Sequence, residues 1–196
     1  MLEKRSVTLS NNECGLKLFF AIELDYELKR SLTKLIDDLK KQPWGHRVKW
    51  TQPENLHITL RFIGSVEPAK VPELADAVQQ AIKSIGSFPL QLDTVRLFPS
   101  PTAPRAIATN IIPIAQLFDL ANILEEVISG SGFAPETRPY LPHLTLGRVM
   151  HYHAPNFQED LTLNAVTMDV EEIVLFNTRK ELNHHSYTPL EYLQLV

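Results

Sequence analysis

The sequence carries His57-Ile58-Thr59-Leu60 and, eighty-six positions later, His143-Leu144-Thr145-Leu146. In an extended strand, residues two apart point to one face. His57 and Thr59 therefore share a face, as do His143 and Thr145, while Ile58, Leu60, Leu144 and Leu146 point the opposite way. The aliphatic face suits packing on helices. The imidazole and hydroxyl face needs water or a ligand, because burying it without partners is costly. Two such strands facing each other across a cleft offer two imidazoles and two hydroxyls to one small site.

That set suits phosphoester chemistry. Histidine titrates near neutrality, so one ring can take a proton from water while the other gives a proton to a leaving oxygen. Threonine hydroxyls can donate to the non-bridging phosphate oxygens. Neither motif holds a carboxylate, which disfavours a hard-metal site. No metal and no cofactor is expected. A single His-x-Thr on a strand is more often structural than catalytic; the matched second copy is what favours a site.

The elements that must position these residues follow from periodicity. "LKLFFAIEL" (16–24) is apolar throughout, as a buried strand is. Asp25 then opens a helix whose Leu28, Leu32, Leu35, Ile36 and Leu39 form one stripe, ended by Pro43 and Gly45. A short strand at 47–50 precedes the first motif strand, 56–63. A second helix over 68–84 turns Val71, Leu74, Val78, Ala81, Ile82 and Ile85 inward, with Pro68 and Pro72 confined to its first turns. Strands at 88–98 and 105–112 lead to a third helix, 114–129, with Ile114, Leu117, Ala121, Leu124 and Ile128 on one face and Gly130 as its stop. The second motif strand spans 143–149. Strands at 161–168, 170–178 and 187–195 finish the chain. Strands are often adjacent rather than alternating with helices, which predicts an α+β fold.

Composition sets outer limits. At 196 residues and 44% hydrophobic, the chain suits one domain, read here as two lobes over 15–196 after a polar tail at 1–14. A net charge of −4 argues against a protein that grips long nucleic acid through a basic surface, but a local cationic pocket remains open to it. The lone Cys14 cannot form an internal disulfide, and neither a secretory leader nor an apolar run of membrane-spanning length is present. A cytoplasmic monomer is the expectation.

With "QPENLHITLRFIG" and "RPYLPHLTLGRV" in place, the chain resembles the two-histidine (2H) phosphoesterase superfamily, and most closely its RNA 2′,3′-cyclic phosphodiesterase branch, historically labelled 2′-5′ RNA ligase. "LKLFFAIEL", "VRLFPSPTAPR" and the closing "EEIVLFNTR…Y" also look like that family. The resemblance implies two pseudo-symmetric lobes, each an antiparallel sheet backed by helices, with both motifs in a central cleft. It implies that His57, Thr59, His143 and Thr145 form the active set, that Arg148 contacts phosphate, and that Phe62 stacks on a nucleobase. It further implies metal-independent opening of a 2′,3′-cyclic phosphate, on an RNA 3′ end or a nucleotide, to a 2′-phosphate. His143 is assigned as base and His57 as acid. Ligation through a 2′-5′ bond, another cyclic phosphate, or nucleotide binding without catalysis are the alternatives.

The chain departs from the family pattern at "AIATNI" (106–111), where larger apolar residues are expected, and at Gly147, where alanine is common and a small change is expected. His151, His153 and the His184-His185 pair read as solvated surface, and Trp44 and Trp50 as packing residues. Arg47, Lys49, Arg61 and Arg138 either guide RNA or are ordinary surface charge.

Overall fold

In a computed structural model, which describes residues 15–112, 114–150, 161–163, 167–180 and 185–196, the first apolar run forms β1 (Leu16–Glu23). Asp25 caps α1 (Tyr26–Lys40) by accepting from the Leu28 N–H at 2.7 Å, and Leu28, Leu32, Ile36 and Leu39 are its buried stripe. β2 (Val48–Trp50) and β3 (His57–Val66) follow. α2 (Val71–Ala81) has a 3₁₀ turn at each end, so the predicted second helix is three helical pieces in one line of sequence. Its Val71, Leu74, Val78 and Ile82 are buried as expected. β4 (Phe88–Phe98), β5 (Ala106–Ile111), α3 (Ala115–Gly130) and β6 (His143–Val149) come next.

The chain ends in β7 (Leu161–Thr162), β8 (Thr167–Val170), β9 (Glu172–Lys180) and β10 (His185–Gln194). One predicted strand at 161–168 is thus two short ones, each paired with a different stretch of β4. His185 opens β10 rather than lying in a turn. His151, His153, His184 and the tail at 1–14 lie outside the described residues.

Among the described residues all paired strands run antiparallel, in the order β10-β9-β1-β3-β6-β5-β4-β7. This is an α+β architecture with a curled antiparallel sheet, as the element pattern predicted. Two equivalent units are visible in it: β1-α1-β3 on one side and β5-α3-β6 on the other. They meet where the motif strands pair, and there the ladder is one residue pair long, Ile58 with Leu144. β2 supplies the rest of that edge, pairing Val48, Lys49 and Trp50 with Val149, Arg148 and Gly147.

The main core lies on the helix side and takes in Phe20, Ile22, Ile58, Leu60, Leu144 and Leu146. On the opposite face a smaller cluster of Phe19, Ala21, Val174 and Phe176 forms, with Tyr187 against it. Trp44 and Trp50 pack against the main core, and the Trp50 indole N–H donates to the Gly45 carbonyl at 2.9 Å.

Gly147 matters more than the sequence comparison with alanine implied. A Cβ there would lie 2.5 Å from Val48 Cγ1 and 3.0 Å from Trp50 Cε3, because β2 lies close against β6. Val48 is buried and β-branched, so it has little room to yield. Gly147→Ala should destabilise the protein by about 1–3 kcal/mol, the usual cost of overpacking. Thermal unfolding checks this, and an unchanged Tm would mean that β2 shifts freely.

Candidate active site

Strict alternation would put a residue five past each histidine on the wrong face. The strand registers show how that is avoided. Along β1, Ala21 pairs with Thr59 but Phe20 pairs with Arg61, so Leu60 is an extra residue. Along β5, Ala108 pairs with Thr145 but Ile107 pairs with Gly147, so Leu146 is extra. Both motifs therefore bulge at the same leucine, and each bulge returns the fifth residue to the histidine's face. Burial follows suit in both strands. His and Thr are half-buried, the next two positions after Thr are buried, and Phe62 and Arg148 are exposed.

The two rings are held alike. His57 Nδ1 lies 2.8 Å from the Asn55 carbonyl, and His143 Nδ1 lies 2.8 Å from the Leu141 carbonyl, each two residues upstream. A carbonyl only accepts, so Nδ1 carries the proton in both rings and Nε2 keeps its lone pair. Thr59 Oγ1, 3.0 Å from His57 Nε2, donates to that lone pair. Asn55 is itself anchored, its side-chain amide donating to the His185 carbonyl at 2.9 Å.

The surroundings differ. His57 sits among rings: Phe19 at 5.0 Å, Tyr187 edge-on at 5.0 Å and Phe176 at 6.3 Å. His143 has Phe98 stacked on it at 3.9 Å and 18°. Burial pushes the His57 pKa down from 6.5 to about 4; the Asn55 carbonyl opposes this, while His143, Arg148 and Lys29 add to it by repulsion. His143 is lowered as well, by burial and then by Arg148, against the Leu141 carbonyl. Arg148 also acts on the Tyr187 hydroxyl. The one guanidinium thus acts on the protonation of both histidines and of Tyr187.

Cross-strand partners complete the floor. Opposite His57, Thr59 and Phe62 stand Glu23, Ala21 and Phe19. Opposite His143, Thr145 and Arg148 stand Asn110, Ala108 and Ala106. The threonine rows are the same, the histidine rows differ by Glu23 against Asn110, and in the last row one half has two phenylalanines and the other an alanine and an arginine. The small residues of "AIATNI" at this point, Ala106 and Ala108, are buried opposite Arg148 and Thr145, and Phe98 pairs with Ala106. Among the described residues, no three His, Cys, Asp or Glu side chains converge as a metal site requires.

Of the sequence-predicted residues, His57, Thr59, Phe62, His143, Thr145 and Arg148 all fall on the face of the sheet opposite the helix-side core. Phe62 is 56% exposed and lies 5.5 Å from Phe19. Arg61 does not join them. It is buried at 8% exposure, ion-paired to Glu125 of α3, and donates to the Ala134 carbonyl at 2.7 Å, so it is not available to guide RNA. Arg138 is exposed and paired with Glu136 at 2.7 Å. Sequence reasoning did not single out Phe19, Phe98, Phe176 or Tyr187, although their stretches were among those resembling the family. A groove of about 820 Å³ beside α1, lined by Tyr26, Lys29, Lys34 and Pro53 among others, contains none of the motif residues.

A family model described as LigT like Phosphoesterase matches residues 22–108 and 112–183. The chain belongs to the LigT-like phosphoesterase family. The RNA 2′,3′-cyclic phosphodiesterase of Methanothermobacter thermautotrophicus is 32% identical over 133 residues, 68% of this chain and 71% of that protein. The one from Thermotoga maritima is 29% identical over 137 residues, covering 70% and 72%. The structure of E. coli LigT complexed with 3′-AMP superimposes with a TM-score of 0.78 at 26% identity, over 92% of this chain and 98% of that one. No helix among the described residues is long and apolar enough to cross a membrane.

For this LigT-like phosphoesterase the histidine environment has a measurable consequence. A lowered folded-state pKa means the unfolded chain takes up the His57 proton first as pH falls. The stability linked to His57 should be complete above pH 6.5 and lost as pH drops towards about 4. NMR titration should find His57 near that lower value, moving upward when inorganic phosphate offsets the charge of Arg148. A midpoint at the ordinary 6.5 in the free protein would contradict the buried ring described above.

Proposed function

We propose that this protein hydrolyses 2′,3′-cyclic phosphates, on RNA 3′ ends or nucleotides, to 2′-phosphates without a metal. The observation that carries this reading is the pair of identically held imidazoles, Nδ1 tied to backbone and Nε2 left with its lone pair. Relatives named RNA 2′,3′-cyclic phosphodiesterase support the substrate class. In the reaction, His143 Nε2 takes a proton from the attacking water, and His57 gives one to the departing 3′-oxygen. Among the described residues no hydrogen bond occupies His143 Nε2, whereas His57 Nε2 is engaged by Thr59; this supports His143 as the base.

The acid must arrive protonated, yet burial and Arg148 hold His57 neutral in the free protein. The substrate's negative charge supplies the correction, since a nearby anion favours the imidazolium. Thr59, Thr145 and Arg148 then meet charge developing on the phosphoryl oxygens. Phe62, beside Phe19, lies where a nucleobase can stack. The equal tautomers of the two rings also favour a second reading, 2′-5′ ligation at the same site, in which acid and base exchange roles. The domain over 15–196 works as a monomer, and the lone Cys14 suits the cytoplasm.

Each of His57→Ala and His143→Ala should lower turnover of cytidine 2′,3′-cyclic phosphate by about 10²–10⁴, or roughly 3–5 kcal/mol of barrier. Wild-type turnover should persist in EDTA, and phosphorus NMR should show a 2′-phosphate product. Near-full activity in either variant, or loss of activity to the chelator, would refute the mechanism. Tight nucleotide binding with no turnover at all would make the protein a binder.

A further inference from the structure

Two histidines can act on one phosphorus only if their separation is fixed, yet the ladder joining their strands is a single residue pair. The carbonyls just beyond that pair belong to the motif threonines. Each accepts a hydrogen bond from the segment leading into the opposite motif. Tyr140, three residues before His143, donates its hydroxyl to the Thr59 carbonyl at 3.3 Å. Thr51, six residues before His57, donates its hydroxyl to the Thr145 carbonyl at 3.0 Å. The Thr51 N–H also donates to the Leu146 carbonyl at 2.9 Å. Tyr140 is braced from its own half by Phe118 of α3, edge-on at 6.0 Å and 80°.

We propose that Thr51 and Tyr140 form a reciprocal hydroxyl clamp that sets the spacing of the two motif threonines, and through them of the two histidines. Both are positioning residues for the reaction, so the inference rests on the phosphodiesterase reading above. The transmission is short. Each ring is tied to the segment leading into its own strand, through the carbonyl two residues upstream, and Thr59 Oγ1 touches His57 Nε2 directly. A strand that slides carries its Nε2 with it. Displacements of about 1 Å remote from the chemistry can cost on the order of 10² in rate. Neither hydroxyl is needed to bind phosphate, so the loss belongs in kcat.

The test compares Thr51→Val, Tyr140→Phe, the double variant and Thr51→Ser on cytidine 2′,3′-cyclic phosphate. The clamp predicts that kcat falls about tenfold in each single variant and further in the double. KM should stay within about twofold, and Thr51→Ser, which keeps the hydroxyl, should restore kcat. A lower Tm with kcat unchanged would make the bonds merely structural and overturn the proposal. So would a rise in KM alone, which marks a substrate contact. The histidine nitrogen shifts are read in parallel. If the wild type turns over nothing, the phosphodiesterase reading fails. The clamp is then decided by whether Thr51→Val and Tyr140→Phe shift the His57 and His143 Nε2 signals; unmoved signals refute it.

Discussion

The face shared by the histidines, Phe62 and Arg148 depends on an extra residue in each motif strand. A pleated strand alternates its side chains, so a residue an odd number of positions from a histidine belongs on the other face. Phe62 and Arg148 each stand five from theirs, and only the bulges at Leu60 and Leu146 bring them round. Without the extra residue Arg148 would point into the helix-side core, unpaired and costly. The helix-side packing of Ile58, Leu60, Leu144 and Leu146 holds both bulges in place, because slipping the register would move those aliphatic side chains into water.

From that placement the electrostatics follow. A buried ring, a neighbouring ring and a guanidinium all oppose protonation of His57. Burial and the Arg148 charge lower the His143 pKa as well, so a cation beside both rings disfavours a second positive charge there. The chain's net charge of −4 does not conflict with this, because the relevant field is local to Arg148.

Much of this was legible in the residues. The repeat fixed which four side chains share a face, and the 3.6-residue stripe of α1 appeared where Leu28, Leu32, Ile36 and Leu39 are buried. What stayed hidden has physical reasons. A bulged leucine is an ordinary apolar residue in the sequence; its extra place exists only against the partner strand. Arg61 reads as a surface cation because its partner, Glu125, stands sixty-four positions away on α3. Gly147 reads as interchangeable with alanine because the crowding comes from β2, which pairs with it from nearly a hundred residues earlier. Tyr187 and Phe98 carry no local mark that separates a ring beside a histidine from a ring in a core.

The Ala21–Thr59 and Ala108–Thr145 rows are alike, whereas Glu23 opposes His57 where Asn110 opposes His143, and a Phe19–Phe62 row stands where the other half has Ala106–Arg148. The histidines share a tautomer and an upstream anchor, so what separates them is their surroundings, the Thr59 hydroxyl on His57 Nε2 and the different rings beside each. The Phe19–Phe62 row against the Ala106–Arg148 row adds an aromatic end and a cationic end, so the face the two motifs share has a direction that the matched histidine anchors do not give it.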